Sequence, residues 1–121
     1  MGHVKWDIHK RDRNLEQQYP FWTTKGILTF FEYIHHIREA RLRGDISAAL
    51  FLLDFNDAYE KAKLTEREKL VLYYRYELGY TLKETSSMLD ISLGTVDGYV
   101  RNGATKIANI FTKAERREIN D

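Results

Sequence analysis

The chain has 121 residues, one proline and no cysteine, with 19 basic against 18 acidic side chains. Such a length suffices for one compact domain or two small helical lobes, and the absence of cysteine excludes disulfides, thiol catalysis and the commonest structural zinc sites. No stretch approaches the roughly 20 apolar residues of a membrane span and the N-terminus lacks a secretory apolar core, so a cytoplasmic protein without a membrane partner is expected.

The charge is unevenly spread. Residues 1–44 hold eight basic and five acidic side chains, residues 45–63 two and four, and residues 64–121 nine of each. Lys5, Lys10, Arg11 and Arg13 cluster near the start, and Lys113, Arg116 and Arg117 near the end. These clusters read either as solvated faces or as an arm and tail for phosphates. Tyr19 to Thr24 should be extended chain, since Pro20 restricts Tyr19, with Thr23 or Thr24 capping the next helix. Phe21 and Trp22 either fold back on the nearest helices or anchor a partner.

Ile27, Phe30, Phe31, Ile34, Ile37 and Arg41 recur at three and four, which predicts a helix over about residues 26–43 with one wide apolar stripe. Gly44 closes it and Asp45 opens the next helix, to about Lys61. There Ile46, Ala49, Leu50, Phe51, Leu52, Leu53 and Phe55 are too many for one stripe, so that helix is either central to the core or meets a partner. No useful alternation of period two exists, which argues against strands.

From Leu64 onward three helix starts follow in quick succession. Thr65 with Glu68 and Thr81 with Glu84 have capping-box spacing, and Ser92 is a third N-cap. Gly79 ends the first of these helices and Asp90 occupies the tight turn before the last. Helix, short helix, sharp turn and longer helix from Leu93 make a helix-turn-helix. The expected fold is all-α: an N-terminal helical region over 1–63, with its aromatic lead-in, packed on a C-terminal helix-turn-helix and basic tail over 64–121.

The segments LTEREKLVL and TLKETSSMLDISLGTV resemble region 4 of the bacterial sigma-70 class and the related helix-turn-helix of quorum-sensing activators. The resemblance covers about Leu64 to Ile107. Thr85 and Ser86 stand where that pattern has Ile-Ala, and Asp90 where it has the turn glycine. The resemblance implies a transcription regulator from a bacterium, phage or mobile element, with double-stranded DNA and RNA polymerase as partners. The chain shows no motif for the sigma regions that hold core polymerase and melt promoter DNA, so a complete sigma factor is not expected.

A helix offered by its start enters the major groove. The outward positions Leu93, Gly94, Asp97, Gly98 and Arg101 are the candidate base contacts, with Val96, Tyr99 or Val100, and Ile107 turned inward. Arg101 suits guanine O6 and N7, and Asp97 suits cytosine N4. Gly94 and Gly98 either let the backbone approach the duplex closely or mark a helix given over to a protein contact. Tyr80, Thr81, Lys83, Ser92, Thr95, Asn102 and Lys106 are the candidate phosphate contacts. Thr81 and Ser92 are needed as caps in any case, whereas Lys83, Arg101 and Lys106 show no structural duty in the sequence.

His35 and His36 point about 100° apart on a helix, so no metal site is expected. Neither a phosphate loop nor a nucleophile elbow is present, so neither an enzyme nor a cofactor is expected. The alternative is a protein-interaction module that binds polymerase or another regulator. Few base-reading groups on one helix also predict a homodimer, formed through the N-terminal lobe with the helix from Ile46 to Tyr59, Phe21 and Trp22 as its surface.

Overall fold

The computed structural model describes residues 21–120, with side chains as far as Lys113. All regular structure among these residues is helical: α1 (Thr24–Leu42), α2 (Ile46–Ala62), α3 (Glu66–Leu72), a π-helical turn (Tyr73–Glu77), α4 (Leu82–Leu89) and α5 (Leu93–Asn120). The basic cluster of Lys5, Lys10, Arg11 and Arg13, and Tyr19 and Pro20, lie outside the described residues, as do the side chains of Arg116 and Arg117.

Each helix begins where a side chain satisfies its first free amides. Thr23 accepts from the Gly26 amide at 3.0 Å and Asp45 from the Ala48 amide at 3.0 Å. Both capping boxes close reciprocally, Thr65 with Glu68 and Thr81 with Glu84. The end of α1 is a Schellman turn, with the Gly44 amide on the Arg41 carbonyl and the Asp45 amide on that of Ala40. Gly44 has φ +89°, a region open to glycine at no steric cost. Lys63 and Asp90 take the same left-handed region with a Cβ, at φ 51° and 55°.

One hydrophobic core runs through α1, α2, α3 and α5, with Leu82 and Leu89 of α4 and Tyr76 of the π turn packed against it. On α1 the buried stripe is Ile27, Phe30, Phe31, Ile34, Ile37 and Ala40; it ends at Ala40, and Arg41, read as its last member, is exposed. On α2 the core takes Ala48, Leu52, Phe55 and Ala58, while Ile46, Leu50 and Leu53 face solvent. That helix therefore flanks the core and does not sit at its centre. Phe21 is buried among Phe30, Phe51, Phe55 and Phe111, with ring centroids 4.6–5.7 Å away. It is a core residue and offers nothing to a partner, whereas neighbouring Trp22 is half-exposed.

The long helix α5 touches α1, α2, α3 and α4. Val96, Val100, Ala104, Ile107 and Ala108 form its buried stripe. At its closest approach to α3, a Cβ on Gly103 would lie 3.2 Å from Leu72 Cδ1, so the missing side chain lets the two helices meet.

Two local features depart from a regular helix-turn-helix. The turn Tyr73–Glu77 is π-wound, with the Leu78 amide reaching back to the Tyr73 carbonyl at 3.0 Å. On α4, Thr85 is fully buried and its hydroxyl has no hydrogen-bond partner. A buried hydroxyl without a partner costs about 1–3 kcal/mol. Thr85→Val keeps the shape and removes that cost, so it is expected to raise the urea midpoint, by an amount worth about 1 kcal/mol. An unchanged or lower midpoint would show that the hydroxyl is satisfied in solution.

Candidate nucleic-acid interface

The start of α5 is set by Ser92. Its hydroxyl oxygen accepts from the Thr95 amide at 3.1 Å and lies 2.7 Å from the Thr95 hydroxyl. Just before it, the Ser86 hydroxyl donates to the Ile91 carbonyl, and the Ile91 and Asp90 amides return to the Ser86 carbonyl. Ser86 thus ties the turn shut.

Helical spacing then divides α5. Val96, Val100, Ala104 and Ile107 are all but inaccessible, while Leu93, Gly94, Thr95, Arg101, Asn102 and Thr105 are exposed and Asp97 and Gly98 partly so. All five candidate base-contact positions therefore lie on the accessible side. Tyr99 is half-buried, so Val100 is the inward residue of that turn.

Arg101 donates through Nε to Asp97 Oδ2 at 2.9 Å, one turn back on the same helix. The Nη donors of the guanidinium remain available to an acceptor pair. An exposed pair of this kind contributes little to stability, but it restrains the side chain and cancels its charge.

The candidate phosphate contacts fall into different environments. Lys83 and Asn102 are exposed. Thr81 and Ser92 are occupied as caps, and the Thr81 amide is held by Glu84 Oε1 at 2.9 Å. Those amide and hydroxyl bonds hold the Glu84 carboxyl below its ordinary range. Tyr80 is half-buried beside Tyr74, with ring centroids 6.0 Å apart.

Lys106 has a structural duty that the sequence did not reveal. Its Nζ donates to Glu68 Oε1 at 2.7 Å, and Glu68 is only 3% exposed. Burial pushes the Glu68 carboxyl up. Lys106 and the amide and hydroxyl of Thr65 outweigh that and leave it below the usual carboxylate range.

Several residues that shape this interface carried no sequence signal. Arg75 is largely buried; it donates through Nη1 to the Tyr80 carbonyl at 2.6 Å and lies over the Tyr76 ring at 4.9 Å. Arg38 forms a two-point pair with Glu77, at 2.9 and 2.6 Å, and holds its carboxyl below the usual range. The His35 Nε2 lies 2.7 Å from the Tyr76 carbonyl. Together they fasten α1 to the π turn from which the helix-turn-helix departs.

Beside that fastening, α1, α2, α3 and the π turn line a cleft of about 310 Å³, with Phe31, Tyr59, Tyr73 and Tyr76 among its walls; no residue of α4 or α5 contributes. Among the described residues no group of three or more His, Asp or Glu is placed to hold a metal ion, and no helix is long and apolar enough to cross a membrane.

No curated protein and no solved structure matches the chain. The family model described as Sigma-70, region 4 matches residues 62–107. From the end of α2 to the middle of α5, then, the chain is similar to region 4 of the sigma-70 class, a DNA-binding helix-turn-helix.

Proposed function

We propose that this protein is a DNA-binding transcription regulator that inserts the start of α5 into the major groove and is not a complete sigma factor. The observation that carries the reading is the division of α5. Its back is locked into the core, its first turns are accessible, and its start is fixed by the Ser92 cap. Leu93, Gly94, Asp97, Gly98 and Arg101 are the proposed base-facing set. Tyr80, Thr81, Lys83, Ser92, Thr95 and Asn102 border the phosphates. Arg101 is the main reader, and Asp97 positions its guanidinium. Lys106, bonded to Glu68, contributes through the fold.

Gel shifts of the full chain on random and genomic DNA, at two salt concentrations, test this. Arg101→Ala should weaken specific binding by about 1–3 kcal/mol and relax preference at one base pair. Unchanged affinity and preference would count against base reading by α5.

Gly98→Ala separates contact from folding. A Cβ there meets nothing within 4 Å, so the helix should gain about 1 kcal/mol in thermal unfolding. DNA affinity should nevertheless fall, because the methyl group holds the duplex away from the backbone. Higher stability with undiminished affinity would remove Gly98 from the contact set.

A second reading, a module that contacts polymerase or another regulator, is favoured by two observations. Residues 64–121 carry as many acidic as basic side chains, and Asp97 neutralises Arg101. The aromatic cleft between α1, α2 and α3 is the surface such a partner would use. DNA binding that vanishes at both salt concentrations would favour this reading.

A further inference from the structure

The outer face of α2 carries apolar side chains that the core does not use. Ile46, Leu50 and Leu53 are 75%, 54% and 65% exposed, and Leu42, across the Gly44 turn, is 79% exposed. Steps of four and three residues set Ile46, Leu50, Leu53 and Asp57 within about 60° of one another around the helix axis. They form a stripe roughly 16 Å long. A contiguous apolar stripe of this kind marks an interaction surface more often than scattered exposed residues do.

Charge is distributed unequally along that stripe. Asp54, Asp57 and Glu60 lie at its C-terminal end, and the exposed Arg41 and Arg43 flank its N-terminal end. Such a surface complements itself when turned around. Two copies packed antiparallel, with a two-fold axis near Leu50, set Ile46 of each copy against Leu53 of the other. The acidic end of each then lies beside Arg43 of the other. Parallel packing would instead set Asp57 against Asp57 and is disfavoured by like-charge repulsion. A two-fold contact of one patch with itself is also the commonest closed arrangement of identical chains.

We infer that the occupant of this face is a second copy of the chain, paired antiparallel through α2. Asp57 already bonds Lys61 at 2.9 Å along the helix, and both side chains are well exposed. Its second carboxylate oxygen serves the arginine of the other copy. The pairing is independent of any DNA contact, since α5 takes no part in it.

Sedimentation of the full chain without DNA, across a concentration series, tests the inference. The parent should shift to twice the single-chain mass, and Leu50→Glu should stay at the single-chain mass with an unchanged helical circular-dichroism spectrum. The decisive arm uses Asp57→Arg and Arg43→Asp. Each alone places like charges across both ends of the interface and should remain single. An equimolar mixture pairs opposite charges at both ends and should regain the doubled mass. A parent of single-chain mass at every concentration would overturn the inference. So would a mixture no more associated than its components. A single-chain parent destabilised by Leu50→Glu would place another segment or partner on the face and would equally overturn it.

Discussion

Lys106→Ala should lower the unfolding free energy by about 2–3 kcal/mol near neutral pH and by much less below about pH 4. The magnitude follows from what is left behind. Glu68 is all but inaccessible, so removing its cation strands a carboxylate with only Thr65 for company. The Lys106 side chain is itself 40% exposed, so the loss should fall short of that for a fully buried pair.

The pH dependence follows from the sign of the shift. In the parent, Glu68 is depressed below 4.5, so its contribution is present above that value and is lost as pH falls through the folded pKa. Without Lys106, only the Thr65 bonds oppose burial, so the carboxyl rises relative to the parent. The variant then carries a penalty at neutral pH that protonation removes. Urea midpoints of both proteins across this range should therefore converge in acid. Parallel curves would show that the pair contributes nothing specific.

Phe30→Ala should be costlier, at about 3–5 kcal/mol. Phe30 is fully buried, and its ring centroid lies 4.3 Å from that of Phe55, 5.2 Å from Phe21 and 5.6 Å from Phe51. The cavity would open where α1, α2 and the lead-in residue converge, and rings held from three directions cannot collapse far to fill it. Phe55→Ala should be less than additive with it, because each change removes part of the same contact. Equilibrium denaturation at unchanged slope is the measurement. A loss under 1.5 kcal/mol, as for a volume-conserving swap, would mean that the cluster repacks.

Local chemistry was legible in the sequence. Thr65, Thr81 and Ser92 each announce a helix start through residues three positions on, and Gly44, Gly79 and Asp90 announce turns through their tolerance of positive φ. The apolar stripe of α1 followed from its period alone. The unread parts depend on partners distant in sequence. Lys106 meets Glu68 across 38 positions, and Arg38 meets Glu77 across 39. Neither pairing has a local signature. Gly103, by helix propensity alone a weak point, is a contact, because Leu72 approaches it from another element. The π turn was hidden for a different reason: Tyr73 to Glu77 suits an ordinary helix, and the departure shows only in the Leu78 amide, which reaches back to the Tyr73 carbonyl.

The reach of α5 bears on how this architecture can be taken apart. Twenty-eight residues form a rod about 42 Å long. Its first turns are open to solvent, while its middle is clasped by α1, through Thr24 and Thr105, and by the aromatic cluster through Phe111. Excision of the family segment alone would strip Ala104 and Ile107 of the α1 and α2 surfaces that shelter them. Grafted onto another protein, that segment would be sticky and poorly ordered. The N-terminal hairpin is thus the scaffold without which the helix-turn-helix has no shape to present.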